Sequence, residues 1–161
     1  MEVGITNGSG ATGALAIQLA AAKGIEVTAT ASAGAAERLR GLGATEVVDY
    51  HDPNWSAKVR GGFDAALIIA TGTADAALPL LRDGGRLCSV TSDAPPEERG
   101  ITSWNLYVEP NAAQLAQLAE QVAAGALKLA PEPLPLSEGP AAFARVVTGQ
   151  AGGKKIVLIC A

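Results

Sequence analysis

Five short runs rich in β-branched and other apolar residues punctuate this chain: VGIT (3–6), IEVTAT (25–30), EVVDY (46–50), AALII (65–69) and RLCSV (86–90). Longer segments with helical spacing separate them. Strands that are apolar without alternation are covered on both faces, and strands that take turns with helices form parallel sheets. The pattern predicts an α/β fold, a doubly wound parallel sheet in three α/β/α layers, built as a single domain. The first intervening segment, ATGALAIQLAAAKG, places Leu15, Ile17, Leu19 and Ala20 among good helix formers and stops at Gly24. The second, AGAAERLRGLG, stops likewise at Gly43. The third, DAALPLLRDGG, carries Pro79, which predicts a kink or a turn there, because proline is costly inside a helix.

Between the first strand and the first helix stands NGSGATG, residues 7–13, in which Gly8, Gly10 and Gly13 make a G-x-G-x-x-G pattern. At such a junction one glycine permits the tight turn, another lets a pyrophosphate approach the backbone, and the third lets helix pack on strand. The first amides of the helix are unpaired and its dipole favours an anion, so the pattern predicts a dinucleotide site on a Rossmann-like sheet. The second strand ends TATASAG with no acid to bind a ribose 2′-hydroxyl. Ser32 is the hydroxyl available there and Arg38 and Arg40 lie further on, which favours NADP(H) over NAD(H).

Composition narrows the function classes. The 161 residues hold 12 Lys+Arg against 16 Asp+Glu, a net charge of −4, and aromatics are only 4%. Nucleic acid and anionic membrane are therefore not expected partners. Cys88 and Cys160 both lie in apolar runs and are expected to be small buried hydrophobes. With His51 the single histidine, in the polar segment YHDPNW, no metal site and no zinc are expected. The chain shows neither a basic, apolar leader nor a run of ~18 apolar residues, so a cytoplasmic location is expected.

The stretches VGITNGSGATGALAIQLAAAKGIEVTATAS, LRGLGATEVVDY, FDAALIIATG, LLRDGGRLCSV and a terminal GGKKIVL together resemble the nucleotide-binding half of the medium-chain dehydrogenase/reductases. Within that superfamily, which includes the alcohol dehydrogenase-like enzymes, the zinc-free quinone oxidoreductase-like branch is most similar. YVEPNAAQLAQLAEQVAAGALK resembles the family's late helix, with Leu115, Leu118 and Val122 on one face, leading into a further strand. The resemblance implies that Gly10, Ala11, Thr12 and Gly13 cradle the pyrophosphate, beside Gly8, and that Ser32 lies near the adenosine 2′-phosphate. It implies that Thr71 and Gly72, and then Val90 and Thr91, border the nicotinamide. Asn7 stands where many relatives have glycine or alanine and is expected to tighten the turn through its side chain; Ala35 replaces a lysine frequent in NADP-preferring relatives.

In the family a GroES-like substrate domain precedes the glycine turn, and here Met1 is two residues from the first strand. The resemblance thus divides the chain into a dinucleotide-binding part, 1–130, and a tail, 131–161, of the kind that completes the absent domain. An amphipathic helix with Phe143, Val146 and Val147, followed by KIVLIC, is expected to need cover, from a second copy in a homodimer or from a separate partner chain. The activity implied is NADPH-dependent reduction of a small quinone or enone substrate. A cofactor-free isomerase, dehydratase or cyclase and a non-catalytic nucleotide-binding protein are the alternatives. Tyr107, His51, Ser92 and Asp93 are candidate acid groups, but they form no recognisable pair or triad, and no catalytic residue is assigned.

Overall fold

A computed structural model describes residues 1–151 and 155–160; residues 152–154 of the terminal GGKKIVL, and residue 161, lie outside the described residues. Six parallel strands form the main sheet: β1 (Glu2–Ile5), β2 (Glu26–Ala31), β3 (Glu46–Asp49), β4 (Phe63–Ile68), β5 (Leu81–Ser89) and β6 (Thr102–Asn105). Their order, β3-β2-β1-β4-β5-β6, is that of a doubly wound dinucleotide-binding sheet. The expected fold class is what the structure has.

Two cores sit on opposite faces, because alternate residues of each strand point opposite ways. On one face α1 (Ala11–Ala21) and α2 (Ala36–Gly41) bring Ile17 and Leu39 against Ile5, Val27, Ala29 and Ala31. On the other, α3 (Trp55–Lys58) and α4 (Ala74–Ala77) help enclose Val59, Phe63, Ala66, Ile68, Leu87 and Ile101. In α1, Ile17 is fully buried whereas Leu15 and Leu19 are half-buried. The third crossover departs from a continuous helix as Pro79 predicts: α4 ends at Ala77 and a 3-10 turn, Leu78–Leu80, takes the proline in its first positions. The following LRDGG, read as the end of a helical segment, belongs to β5. Phe63 pairs with Leu81 and Ala65 with Arg86, so the residues between them loop out of register, with Gly84 at φ +71°.

Beyond β6 come α5 (Ala112–Ala123), β7 (Glu132–Pro135), α6 (Gly139–Val147) and β8 (Ile156–Ile159). Asn111 caps α5 by accepting from the Gln114 amide. Its apolar face finds no core: Leu115 is exposed. β8 pairs in parallel with β7 as a separate two-stranded sheet, not with the main one. Bidentate Arg145–Glu132 contacts, both 2.9 Å, tie α6 to β7. Two expectations fail here. Cys160, just past β8, is exposed, and Cys88 is only half-buried; burial still pushes the Cys88 thiol up.

Candidate functional site

The order of strands reverses between β1 and β4, and at such a switch point the crevice beyond the carboxyl ends of the strands receives ligands. NGSGATG lies there, directly after β1. Asn7 enters the turn at φ +53°, a left-handed conformation that asparagine tolerates. Its amide donates to Thr30 Oγ1 (3.2 Å) and its carbonyl accepts from Gly10 N (3.2 Å). The expected side-chain bond of Asn7 is not what tightens the turn; the backbone does that work.

The three glycines have different reasons. A Cβ on Gly13 would stand 2.3 Å from the Asn7 carbonyl oxygen and 2.8 Å from Gly8 Cα. On Gly8 it would stand 2.8 Å from Ala29 Cβ, so both positions are closed by backbone and core. A Cβ on Gly10 would meet only the Asn7 side chain, at 3.1 Å or more. Gly10 is the N-cap of α1, in extended conformation and with no side chain to occupy the first amides, and no acid stands in the first turn. The turn therefore presents the amides at Ala11, Thr12 and Gly13 to an anion, and the residues present fit a pyrophosphate.

Ser32 caps a 3-10 turn (Ala33–Ala35) at the end of β2 without spending its hydroxyl on that cap. Arg38, from α2, donates from Nη2 to the Ser9 carbonyl at 2.9 Å. A cation thus rests on the glycine turn itself. Arg40 is exposed.

The loops after β4 and β5 meet at Asp93. Its Oδ1 accepts from Ser89 Oγ (2.6 Å) and Thr91 Oγ1 (2.8 Å), and its Oδ2 accepts from Gly72 N (2.7 Å). These donors, the Ser89 hydroxyl foremost, hold the carboxyl below the ordinary aspartate range. Asp93 is thus an acceptor and does not suit the acid role weighed for it. Thr71 and Gly72 are exposed on one side of this junction; on the other Val90 is exposed and Thr91 half-buried, with Val90 N bonded to Ile68 O. Ser92, at φ +62°, turns the chain between Thr91 and Asp93.

The other candidate acids are not brought together. His51 follows β3, one edge of the sheet, stacked on Tyr50 with its Nδ1 2.8 Å from Asp49 Oδ1. Tyr107 follows β6, the opposite edge, where it lines an open groove with Val90, Asn105 and Leu106. Thr6 was not singled out from the sequence, yet its buried Oγ1 accepts from Ile69 N (2.8 Å) and Ala70 N (3.1 Å), joining the exits of β1 and β4. A threonine closing an apolar strand just before a glycine turn was the available signal.

With this geometry in view, residues 42–158 match the family described as zinc-binding dehydrogenase. The chain belongs to that family. Relatives include an Arabidopsis thaliana NADPH-dependent alkenal/one oxidoreductase, 30% identical over 95% of this chain and 39% of its own length. The chloroplast envelope quinone oxidoreductase homolog of the same plant is 32% identical over 95% of this chain and 51% of its own. Among solved structures, the quinone oxidoreductase from Coxiella burnetii superposes with a TM-score of 0.82 at 26% identity, over 99% of this chain and 52% of that one. The chain thus spans about half the length, or less, of these dehydrogenase relatives. They place it in the medium-chain dehydrogenase/reductase superfamily, as the sequence resemblance implied. The zinc of the family's description has no matching donor set: among the described residues no three His, Cys, Asp or Glu side chains gather as a catalytic zinc requires. No helix among the described residues is long and apolar enough to cross a membrane.

Proposed function

We propose that this chain binds a nicotinamide dinucleotide, NADP(H) in preference to NAD(H), as part of an oxidoreductase that reduces a small quinone or enone. The observation that carries the reading is the glycine turn: two positions closed to any side chain, one left open, and an uncapped helix N-terminus behind them. Gly10, Ala11, Thr12 and Gly13 would hold the pyrophosphate, with Gly8 fixing the turn. Ser32 and Arg38 would receive the 2′-phosphate; the absence of an acid at the end of β2 removes the usual repulsion. Thr71, Gly72, Val90 and Thr91 would border the nicotinamide. Names of relatives, one NADPH-dependent and two quinone oxidoreductases or homologues, support the same reading.

Bound reduced nicotinamide supplies a hydride; the protein's part is to orient the ring and exclude water. A calorimetric titration of the chain with NADPH and NADH, beside Gly10→Asp, tests it. Binding of NADPH that Gly10→Asp abolishes is the expected result, and binding of neither dinucleotide would refute it.

Binding without turnover is the second reading, favoured by Asp93 being engaged as an acceptor and by His51 lying at the far edge. NADPH consumption with a panel of quinones and enones separates the two. Association belongs to the same proposal: Phe143, Val146 and Val147 of α6, and Val157 and Ile159 of β8, are exposed, which supports cover by a second copy or another chain. A monomer by light scattering at working concentration would count against a homodimer.

A further inference from the structure

Past the Val90 N–Ile68 O bond that closes the β4–β5 ladder, the chain runs on as two separate loops, and the Asp93 carboxylate joins them. Gly72 stands at the tip of the first, exposed and at φ +76°. Thr73 closes that turn locally on Ala70, through its amide (3.3 Å) and its Oγ1 (2.7 Å). The tip itself is fixed across the gap, by Gly72 N donating to Asp93 Oδ2. On the second loop Asp93 is held by Ser89, which is fully buried, and by Thr91; Ser89 Oγ also accepts from Thr91 N at 3.0 Å. The far side of that loop is anchored too, since Ala94 N donates to Asn105 Oδ1 (3.0 Å) and Leu106 N to Ser89 O (2.7 Å). The Thr71–Gly72 tip is therefore located relative to Val90 and Thr91 through Asp93.

We propose that Asp93 is a positioning residue for the nicotinamide half of the cofactor: by clasping Gly72 to Ser89 and Thr91 it sets the gap between the two loops where the ring docks. This rests on the dinucleotide reading above and goes beyond it, because it assigns an energetic role to a residue that need not touch the ligand. A charged acceptor with three donors is stronger than neutral hydrogen bonds, and it orders the loops before the ligand arrives. The adenosine half would bind at the glycine turn after β1, the strand beside β4, and at the end of β2, one strand further off, where it would not touch Asp93.

The split between the two halves makes the test. NADPH and 2′-phospho-ADP-ribose, the same molecule without nicotinamide, are titrated into the wild-type chain, Asp93→Asn and Asp93→Ala, with circular dichroism as the check on folding. Wild type is expected to bind NADPH more tightly than the fragment and to raise the fluorescence of the reduced ring. In Asp93→Ala the NADPH affinity should fall roughly tenfold and the fluorescence gain should be lost, while the fragment's affinity changes less than about twofold. Asp93→Asn, which keeps one carbonyl acceptor, should fall between them. Equal weakening of both ligands would mark Asp93 as merely structural and overturn the proposal, as would an unchanged NADPH affinity. A wild-type chain that binds neither ligand would instead overturn the dinucleotide reading, and this inference with it.

Discussion

Gly10 and Gly13 belong to one motif, yet their surroundings predict opposite defects when each becomes alanine. At Gly13 the new methyl would lie 2.3 Å from the Asn7 carbonyl oxygen, closer than the 3.0 Å that real Cβ contacts essentially never breach. The obstacle is backbone, so no side chain can swing away, and the turn must open by roughly 0.7 Å or the helix must retreat. Overpacking of this kind costs about 1–3 kcal/mol, from which roughly 1 kcal/mol is returned by the better helix propensity of alanine. A net loss of up to about 2 kcal/mol is expected. At Gly10 the φ of −67° and ψ of 165° suit any residue, and the methyl meets only the Asn7 side chain. Its stability should change by less than about 0.5 kcal/mol.

Ligand binding should rank the pair differently. The Gly10 methyl would stand where the pyrophosphate must approach the first amides of α1, so Gly10→Ala should lose at least about tenfold in NADPH affinity while remaining as stable as wild type. Urea unfolding gives the stabilities and calorimetry the affinities. A Gly10→Ala variant that unfolds as early as Gly13→Ala, or one that binds NADPH like wild type, would refute the division of labour drawn from the turn.

Three further outcomes follow from other contacts. On the proposed reading, in which the guanidinium resting on Ser9 O would receive the 2′-phosphate, Arg38→Ala should weaken NADPH by about tenfold and leave NADH nearly unchanged; equal losses in parallel titrations would argue that Arg38 only braces the turn. Gln18→Ala should cost about 1–2 kcal/mol in urea unfolding, since the buried amide accepts from Lys128 N (2.7 Å) and donates to Lys128 O (3.1 Å), two bonds that tie α1 to the chain after α5. Asp52, Asp64 and Asp93 all have lowered carboxyl pKa values through bonds that favour the charged form, led by Lys58, the Glu2 amide and Ser89 respectively. A depressed folded value stabilises above the unfolded one, so stability should be flat from about pH 5 to 7 and decline as pH falls below about 4, with the unfolding midpoint in urea measured across that range.

The fold was readable where strands were continuously apolar. AALII and RLCSV had to lie inside a sheet, and of the residues named for the first helix Ile17 is the one wholly buried against it. β6, TSWN, was not read, because an edge strand covered less completely can alternate polar and apolar residues over only four positions. Leu81 escaped for a different reason: the residues that loop out at Gly84 separate it in sequence from the rest of β5. In the site, glycines announced themselves by spacing, whereas Arg38 and Asp93 stood out only as a cation and a candidate acid; their contacts with Ser9 and with Gly72 come from segments 29 and 21 residues away. Gln18 lies 110 residues from its partner Lys128, and no local pattern distinguishes such a glutamine from a surface one. The faces of α5 and α6 were read as apolar, and they are; the sequence pattern could not say what they meet.

From β2 across to β6, the four gaps at the carboxyl ends of the main sheet's strands are each spanned by a short polar side chain. Thr30 joins the β2 exit to the glycine turn, Thr6 joins β1 to β4, Asp93 joins β4 to β5, and Asn105 joins β5 to β6. Small residues are required where a ligand approaches backbone, so apolar packing is not available to hold these loops. Hydrogen bonds from side chains one or two atoms long do it instead, and they also satisfy loop amides that a parallel sheet leaves without partners. Loops fixed in this way surrender little freedom when a ligand arrives, which raises affinity without adding a contact. The consequence is local: removing any one of the four should affect the part of the ligand beside it more than the stability of the sheet, whose cohesion lies in the two apolar cores behind.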